Sequence, residues 1–96
     1  MKYFVRRDRM KIYGDILSVI ASKGSGKKEQ EIPLTHIQLM TNVPFDRLKI
    51  YLSELEQLGL IQAGSSPEIT EKGEQFLIEY EKVLDFMKRM GLGYQR

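Results

Sequence analysis

Two amphipathic segments with helical spacing meet at Asn42-Val43-Pro44, and that junction constrains the fold more than any other stretch of the chain. Proline lacks the amide that a continuing helix needs, so the segments on either side must be separate helices joined by a tight turn. Before the junction, Thr35 stands where a helix N-cap is expected, and His36-Ile37-Gln38-Leu39-Met40 supplies two helical turns. Beyond it, Phe45, Leu48, Tyr51 or Leu52, Leu55 and Leu58 recur at helical spacing until Gly59, a suitable left-handed stop. The second of the pair is thus a helix of about four turns.

The flanking sequence restricts the possibilities further. From Arg9 to Ala21, Met10, Ile12, Tyr13, Ile16, Leu17, Val19 and Ile20 fall at three- and four-residue steps, which predicts a first helix with a wide buried face and Asp8 as its cap. The glycine- and lysine-rich run from Lys23 to Gln30 ends it in a basic loop, and Ile32-Pro33 has room only for a very short extended piece. After Gly59, Leu60-Ile61-Gln62-Ala63 and Glu68-Ile69-Thr70 surround Gly64-Ser65-Ser66-Pro67, the pattern of a small hairpin. Thr70 can cap a last helix whose first turn carries Glu71 and Glu74. In that helix Phe76, Tyr80, Val83, Met87 and Met90 alternate steps of four and three, a heptad seam widened by Leu77 and Leu84, up to a stop near Gly91. The element order predicts a mainly α fold with a small β-hairpin, a winged helix-turn-helix followed by a C-terminal amphipathic helix. A single domain spans residues 1–96, with its core at about 8–75 and the terminal helix at about 71–90.

Composition matters mainly for what it excludes. A chain of 96 residues that is 42% hydrophobic and 29% charged suits one globular core, not a disordered or fibrous chain. It has no cysteine, hence no disulfide, thiolate metal site or cysteine nucleophile, which suits the cytoplasm. The N-terminal apolar stretch is too short for a signal peptide, and no window approaches the roughly 18 apolar residues of a membrane span. Gly24-Ser25-Gly26-Lys27 fails as a nucleotide-binding loop, with Ala21 where glycine is required and Lys28 where Ser or Thr is required. A lone His36 cannot anchor zinc, and no catalytic spacing surrounds it. Enzyme, metal and cofactor readings are therefore rejected, and no small-molecule ligand is evident.

Charge is unevenly divided. Residues 1–28 hold eight Lys or Arg against two Asp, a net +6, while the remaining residues hold seven against eleven, a net −4. A basic front of this kind attracts phosphate.

Residues 35–61, together with Ile69-Thr-Glu-Lys-Gly-Glu-Gln-Phe-Leu, resemble a family of small archaeal winged-helix DNA-binding proteins. Thr35, Ile37, Asn42, Tyr51, Leu52, Leu55, Gly59, Leu60, Thr70, Lys72 and Gly73 carry the resemblance, and the opening Arg-Arg-Asp-Arg-Met-Lys-Ile-Tyr-Gly-Asp-Ile-Leu also fits. The resemblance implies a homodimer through antiparallel pairing of the last helix, and duplex DNA as the partner, in a chromatin-associated or transcription-regulating role. Two positions depart from it: His36 stands where a basic residue is usual, and Pro44 where a serine or other cap is usual.

Duplex recognition needs a helix that fits the major groove and cations on the flanking phosphates. Removing the buried stripe of the third helix leaves Asp46, Arg47, Lys49, Ile50, Ser53, Glu54 and Gln57 outward, of which Arg47, Lys49 and Ser53 are the DNA-contact candidates and Asp46 and Glu54 oppose contact. Thr35 and His36, at the start of the second helix, join them. Ser65 and Ser66 give the wing neutral donors, and Arg6, Arg7, Arg9, Lys27 and Lys28 are the candidate phosphate contacts. Tyr80, Val83, Leu84, Met87 and Met90 are the candidate dimer interface. The competing reading is a winged-helix module that binds a protein and not DNA, favoured by the neutral wing and by Asp46, Glu54 and Glu56.

Overall fold

The computed structural model describes residues 9–24, 33–62, 64 and 66–92. These form α1 (Arg9–Gly24), α2 (Leu34–Thr41), α3 (Phe45–Gln57), β1 (Ile61–Gln62), β2 (Glu68–Ile69) and α4 (Glu71–Arg89). The helix, helix-turn-helix, hairpin, helix order expected from the sequence is present; the basic loop expected from Lys23 to Gln30 and the short extended piece at Ile32-Pro33 fall for the most part outside the described residues.

Helix α1 supplies the middle of the core, with Ile16, Leu17 and Ile20 fully buried against Ile37, Val43, Leu48, Leu55, Leu60 and Ile61. It continues three residues past the expected end at Ala21, because nothing before Gly24 breaks the helix and the Ser22 hydroxyl bonds back to the Val19 carbonyl at 3.0 Å. The expected Asp8 cap lies outside the described residues.

At α2 the structure corrects one local expectation. Thr35 does not cap this helix; it sits within the first turn, and Pro33 occupies the cap with extended angles (φ −68, ψ 149). The Pro33 carbonyl accepts from the amides of His36 and Ile37, at 3.0 and 3.4 Å. A residue outside the helix needs no amide of its own, so proline suits this position without a side-chain bond. The helix ends at Asn42 in the left-handed region (φ 59), with the Asn42 amide bonded to the Gln38 carbonyl at 2.8 Å. Asparagine tolerates that conformation better than most residues.

Pro44 plays the same part for α3 that Pro33 plays for α2, so a proline fixes the start of each helix in the helix-turn-helix. At the far end of α3, Gly59 (φ 81) donates its amide to the Glu56 carbonyl at 3.0 Å, and Leu60 donates to Leu55 at 2.9 Å. This double closure satisfies carbonyls the helix would otherwise leave open, and Leu55 and Leu60 are both buried.

The hairpin pairs Ile61 with Ile69 and Gln62 with Glu68 in antiparallel register. It returns the chain to the end of α3, where Thr70 begins α4. The Thr70 hydroxyl accepts from the Gly73 amide at 3.0 Å and donates to the Gly59 carbonyl at 2.6 Å. The Thr70 amide bonds the Leu60 carbonyl at 3.1 Å, and Lys72 Nζ bonds the Leu58 carbonyl at 2.7 Å. Gly73 makes this closeness possible, since a Cβ there would stand 2.2 Å from the Leu60 oxygen. Further along α4, Tyr80 is 6% exposed and lies over Gly14 of α1, where a Cβ would stand 2.3 Å from its ring.

Gly73→Ala forces a methyl group onto a backbone carbonyl that cannot rotate away, a steric cost of about 1–3 kcal/mol that outweighs alanine's helix preference. The expected result is a thermal midpoint lower by about 5–15 °C in a circular-dichroism melt. An unchanged or raised midpoint would show that the junction of α3 and α4 is looser than described.

Candidate nucleic-acid interface

Leu48, Tyr51 and Leu55 turn one stripe of α3 into the core. The stripe opposite therefore faces outward: Asp46, Arg47, Lys49, Ile50, Ser53, Glu56 and Gln57 are all exposed. Lys49 Nζ lies 5.4 Å from the centre of the Phe45 ring, a cation–π contact that keeps the ammonium near the first turn of the helix. Thr35 of α2 is exposed and His36 half-buried. Arg47, Lys49, Ser53 and Thr35 thus all reach solvent from the helix-turn-helix pair.

The face α2 gives to the core is narrow: Leu34 packs partly against it, and Ile37 and Thr41 are buried, at steps of three and four. Leu39 and Met40 fall outside that stripe and are 79% and 60% exposed. Leu39 and Val43 line an open groove of about 550 Å³ with Thr35, Gln38, Asn42 and Pro44. Its lining carries no charged side chain. The sequence pattern does not reveal this exposure, because an eight-residue helix offers too few turns to separate its faces.

Arg9, at the first position of α1, reaches the outer edge of α3. Its Nη1 lies 2.7 Å from Glu54 Oε1, and its guanidinium carbon is 5.3 Å from the centre of the Tyr51 ring. The Tyr13 hydroxyl donates to the same Glu54 oxygen, and the Tyr13 and Tyr51 rings meet edge to face with centroids 6.4 Å apart. The bond from Tyr13, aided by the charge of Arg9, holds the Glu54 carboxyl below its usual ionisation range. Burial pushes the Tyr13 phenol up, and its bond to Glu54 acts in the same direction. This network joins residues 41 and 45 positions apart, and no local sequence signal announces it.

Arg6, Arg7, Lys27, Lys28 and Ser65 lie outside the described residues. Ser66 is half-buried, beside the exposed Gly64 of the wing.

The heptad seam read along α4 divides in two. Phe76 and Tyr80 stack with ring centres 6.0 Å apart, Phe76 half-buried and Tyr80 buried in the protomer's own body. Farther out, Val83 is 37% and Met90 56% exposed, while Leu84 and Met87 are half-buried. Phe86 is 51% exposed and is absent from the candidates drawn from the sequence, although it stands three residues after Val83 and four before Met90. That spacing is the signal that could have found it.

A three-helix core with a helix-turn-helix, a two-stranded hairpin after it and an outward-facing third helix defines the winged-helix class. The sequence matches the winged helix-turn-helix family over residues 6–88, and the chain belongs to that family. Its structure is similar to that of Sso10a-2, a DNA-binding protein from Sulfolobus solfataricus, with a TM-score of 0.69 and 21% identity, over 88% of this chain and 85% of that one. At that identity the likeness is one of fold. No curated protein matches the sequence. Among the described residues, no helix is long and apolar enough to cross a membrane.

The depressed ionisation of Glu54 has a consequence for stability. Because its folded-state pKa lies below the unfolded value, its contribution is present above the usual carboxylate range and lost as pH falls through the depressed value. Urea unfolding at about pH 7 and about pH 3 is expected to show a smaller acid-induced loss for Glu54→Gln than for the wild type. Equal losses would remove Glu54 from the acid response.

Proposed function

We propose that this protein binds duplex DNA, with α3 in the major groove and basic side chains on the flanking phosphates. The observation that carries the reading is the outward face of α3, where Arg47, Lys49 and Ser53 stand exposed on a helix whose other side is fixed in the core. Family membership supports it, as does the DNA-binding character of the structurally similar Sulfolobus protein. Arg9 adds a cation at the edge of the same helix, and Arg6 and Arg7 precede it in sequence. Lys27, Lys28, Thr35 and His36 are further candidate contacts, and Ser65 and Ser66 give the wing neutral hydrogen-bonding groups, not a minor-groove arginine. The role is that of a cytoplasmic transcription regulator or chromatin-associated protein without catalytic function.

A fluorescence titration with mixed-sequence duplex at two salt concentrations tests this. Wild-type affinity is expected to be micromolar or better and to fall steeply with salt. Arg47→Glu with Lys49→Glu should abolish it, and unchanged affinity would sink the assignment of α3. The exposed Leu39 and Met40 beside the uncharged α2 groove favour a second reading, the docking of a protein. On that reading the wild type shows no salt-dependent DNA binding.

We also propose a homodimer formed by the outer half of α4, through Val83, Leu84, Phe86, Met87 and Met90. Tyr80 serves this interface only from within, by anchoring α4 to α1. The support is an apolar stripe along the outer half of α4, in which Val83, Phe86 and Met90 are exposed and Leu84 and Met87 half-buried. The methionines make the seam adaptable. Val83→Asp with Met87→Asp should give a monomer by light scattering, and a variant that stays dimeric would move the interface elsewhere.

A further inference from the structure

Glu54 is the acidic residue of α3 that contacts a cation from another helix, and the partner is a residue with an obvious use on DNA. Glu54 lies seven residues beyond Arg47, on the same helical stripe, so it stands roughly 10 Å farther along the axis. The ion pair therefore holds the Arg9 guanidinium at the edge of the outward face of α3, as a continuation of the row that begins with Arg47. The Arg9 side chain is 58% exposed, with the Tyr51 ring flanking it. The Arg9–Glu54 contact uses Nη1, and Arg carries five N–H donors in a planar fork. Glu54 is more enclosed, at 32% exposed, and is gripped from the other side by the Tyr13 hydroxyl. Of the two partners the arginine is the one built to leave: it is more open to solvent, and its carboxylate keeps a second donor when it goes.

We propose that Glu54 is a built-in competitor for Arg9, holding the guanidinium at the rim of α3 in the free protein and releasing it to a backbone phosphate when duplex DNA arrives. The inference rests on the duplex-binding reading above and adds to it a residue that sets affinity by acting through another. A phosphate offers Arg the same planar, charge-assisted pairing as a carboxylate, so the exchange preserves the kind of bond while changing the partner. Tyr13 makes the exchange less costly, because its hydroxyl goes on satisfying the Glu54 oxygen that Arg9 vacates. Glu54 itself stays out of contact with DNA and acts as a positioning residue.

A double-mutant cycle in the duplex titration tests this. Glu54→Gln keeps the shape of the side chain and removes its charge, and it is expected to tighten binding about two- to fivefold, the range of an exposed ion pair. Arg9→Gln should weaken binding and lower the slope of log affinity against log salt by about 0.9, the loss of one phosphate contact. The deciding measurement is the double variant: in the Arg9→Gln background, Glu54→Gln should bring no gain. A gain that persists there would mean that Glu54 merely repels phosphate, and would overturn the proposal. An unchanged or weaker affinity for Glu54→Gln alone would also overturn it, with circular-dichroism melts of each variant excluding a folding defect. If the wild type binds and Arg47→Glu with Lys49→Glu abolishes binding, such a result rejects the competitor alone. If the wild type does not bind at all, both readings fall.

Discussion

The arrangement of this molecule depends on how the open end of α3 is closed. A helix leaves its last carbonyls without partners inside itself, and burying such groups unsatisfied is costly. Here Gly59 and Leu60 turn back on Glu56 and Leu55, and Thr70 and Lys72, where α4 begins, donate to the carbonyls of the turn that follows: Lys72 to Leu58, the Thr70 hydroxyl to Gly59 and the Thr70 amide to Leu60. The same threonine accepts from Gly73, so one side chain closes the end of one helix and the beginning of the next. The hairpin serves as the short loop that brings these two helix ends together. The direction of α4 relative to α3 thus follows from a few hydrogen bonds and the absence of a Cβ at Gly73.

Much of this is legible in the sequence because the deciding interactions are local. Gly59 and Gly91 stop their helices in the left-handed conformation that few other residues accept, and Thr70 caps its own helix three residues on. Pro44 marks a helix start because its effect is confined to neighbouring residues. Thr35 misleads for a related reason: threonine and proline both suit a helix start, and only the path of the chain shows that the Pro33 carbonyl takes the first amides. Nonlocal contacts are out of reach. Gly14 carries no sign that Tyr80 lies above it, and a regular heptad step cannot show where the protomer's own core ends and an uncovered surface begins.

The candidate interface divides along the same line. Much of the outward face of α3 follows from its apolar stripe, so the exposure of Arg47, Lys49 and Ser53 is readable from periodicity, but the two ends of the stripe are not: Phe45 and Leu58 fall in it by spacing and are exposed, where the helix runs past the core. Glu54, by contrast, reads in the sequence as a charge that simply opposes DNA. Its meaning changes once Arg9 and Tyr13 are found on it, since a carboxylate with two donors is a different electrostatic object from a bare one. Net charge by segment points to a basic front, but only the packing of α1 against the helix-turn-helix brings the first described residue of that front beside α3.

The notch at Gly14 gives α4 the mechanics of a lever. Tyr80 seats in it as a fulcrum, and Met90 lies ten residues farther out, roughly 15 Å along the helix axis. A tilt of about 10° at the seat therefore carries the tip through about 2.6 Å, half the pitch of a helical turn. In the paired molecule proposed above, two such arms set how far apart the two reading helices stand. The span between them then depends on the seat at Gly14 as well as on the junction at Gly73, two places where the absence of a side chain lets α4 close onto the rest of the protein.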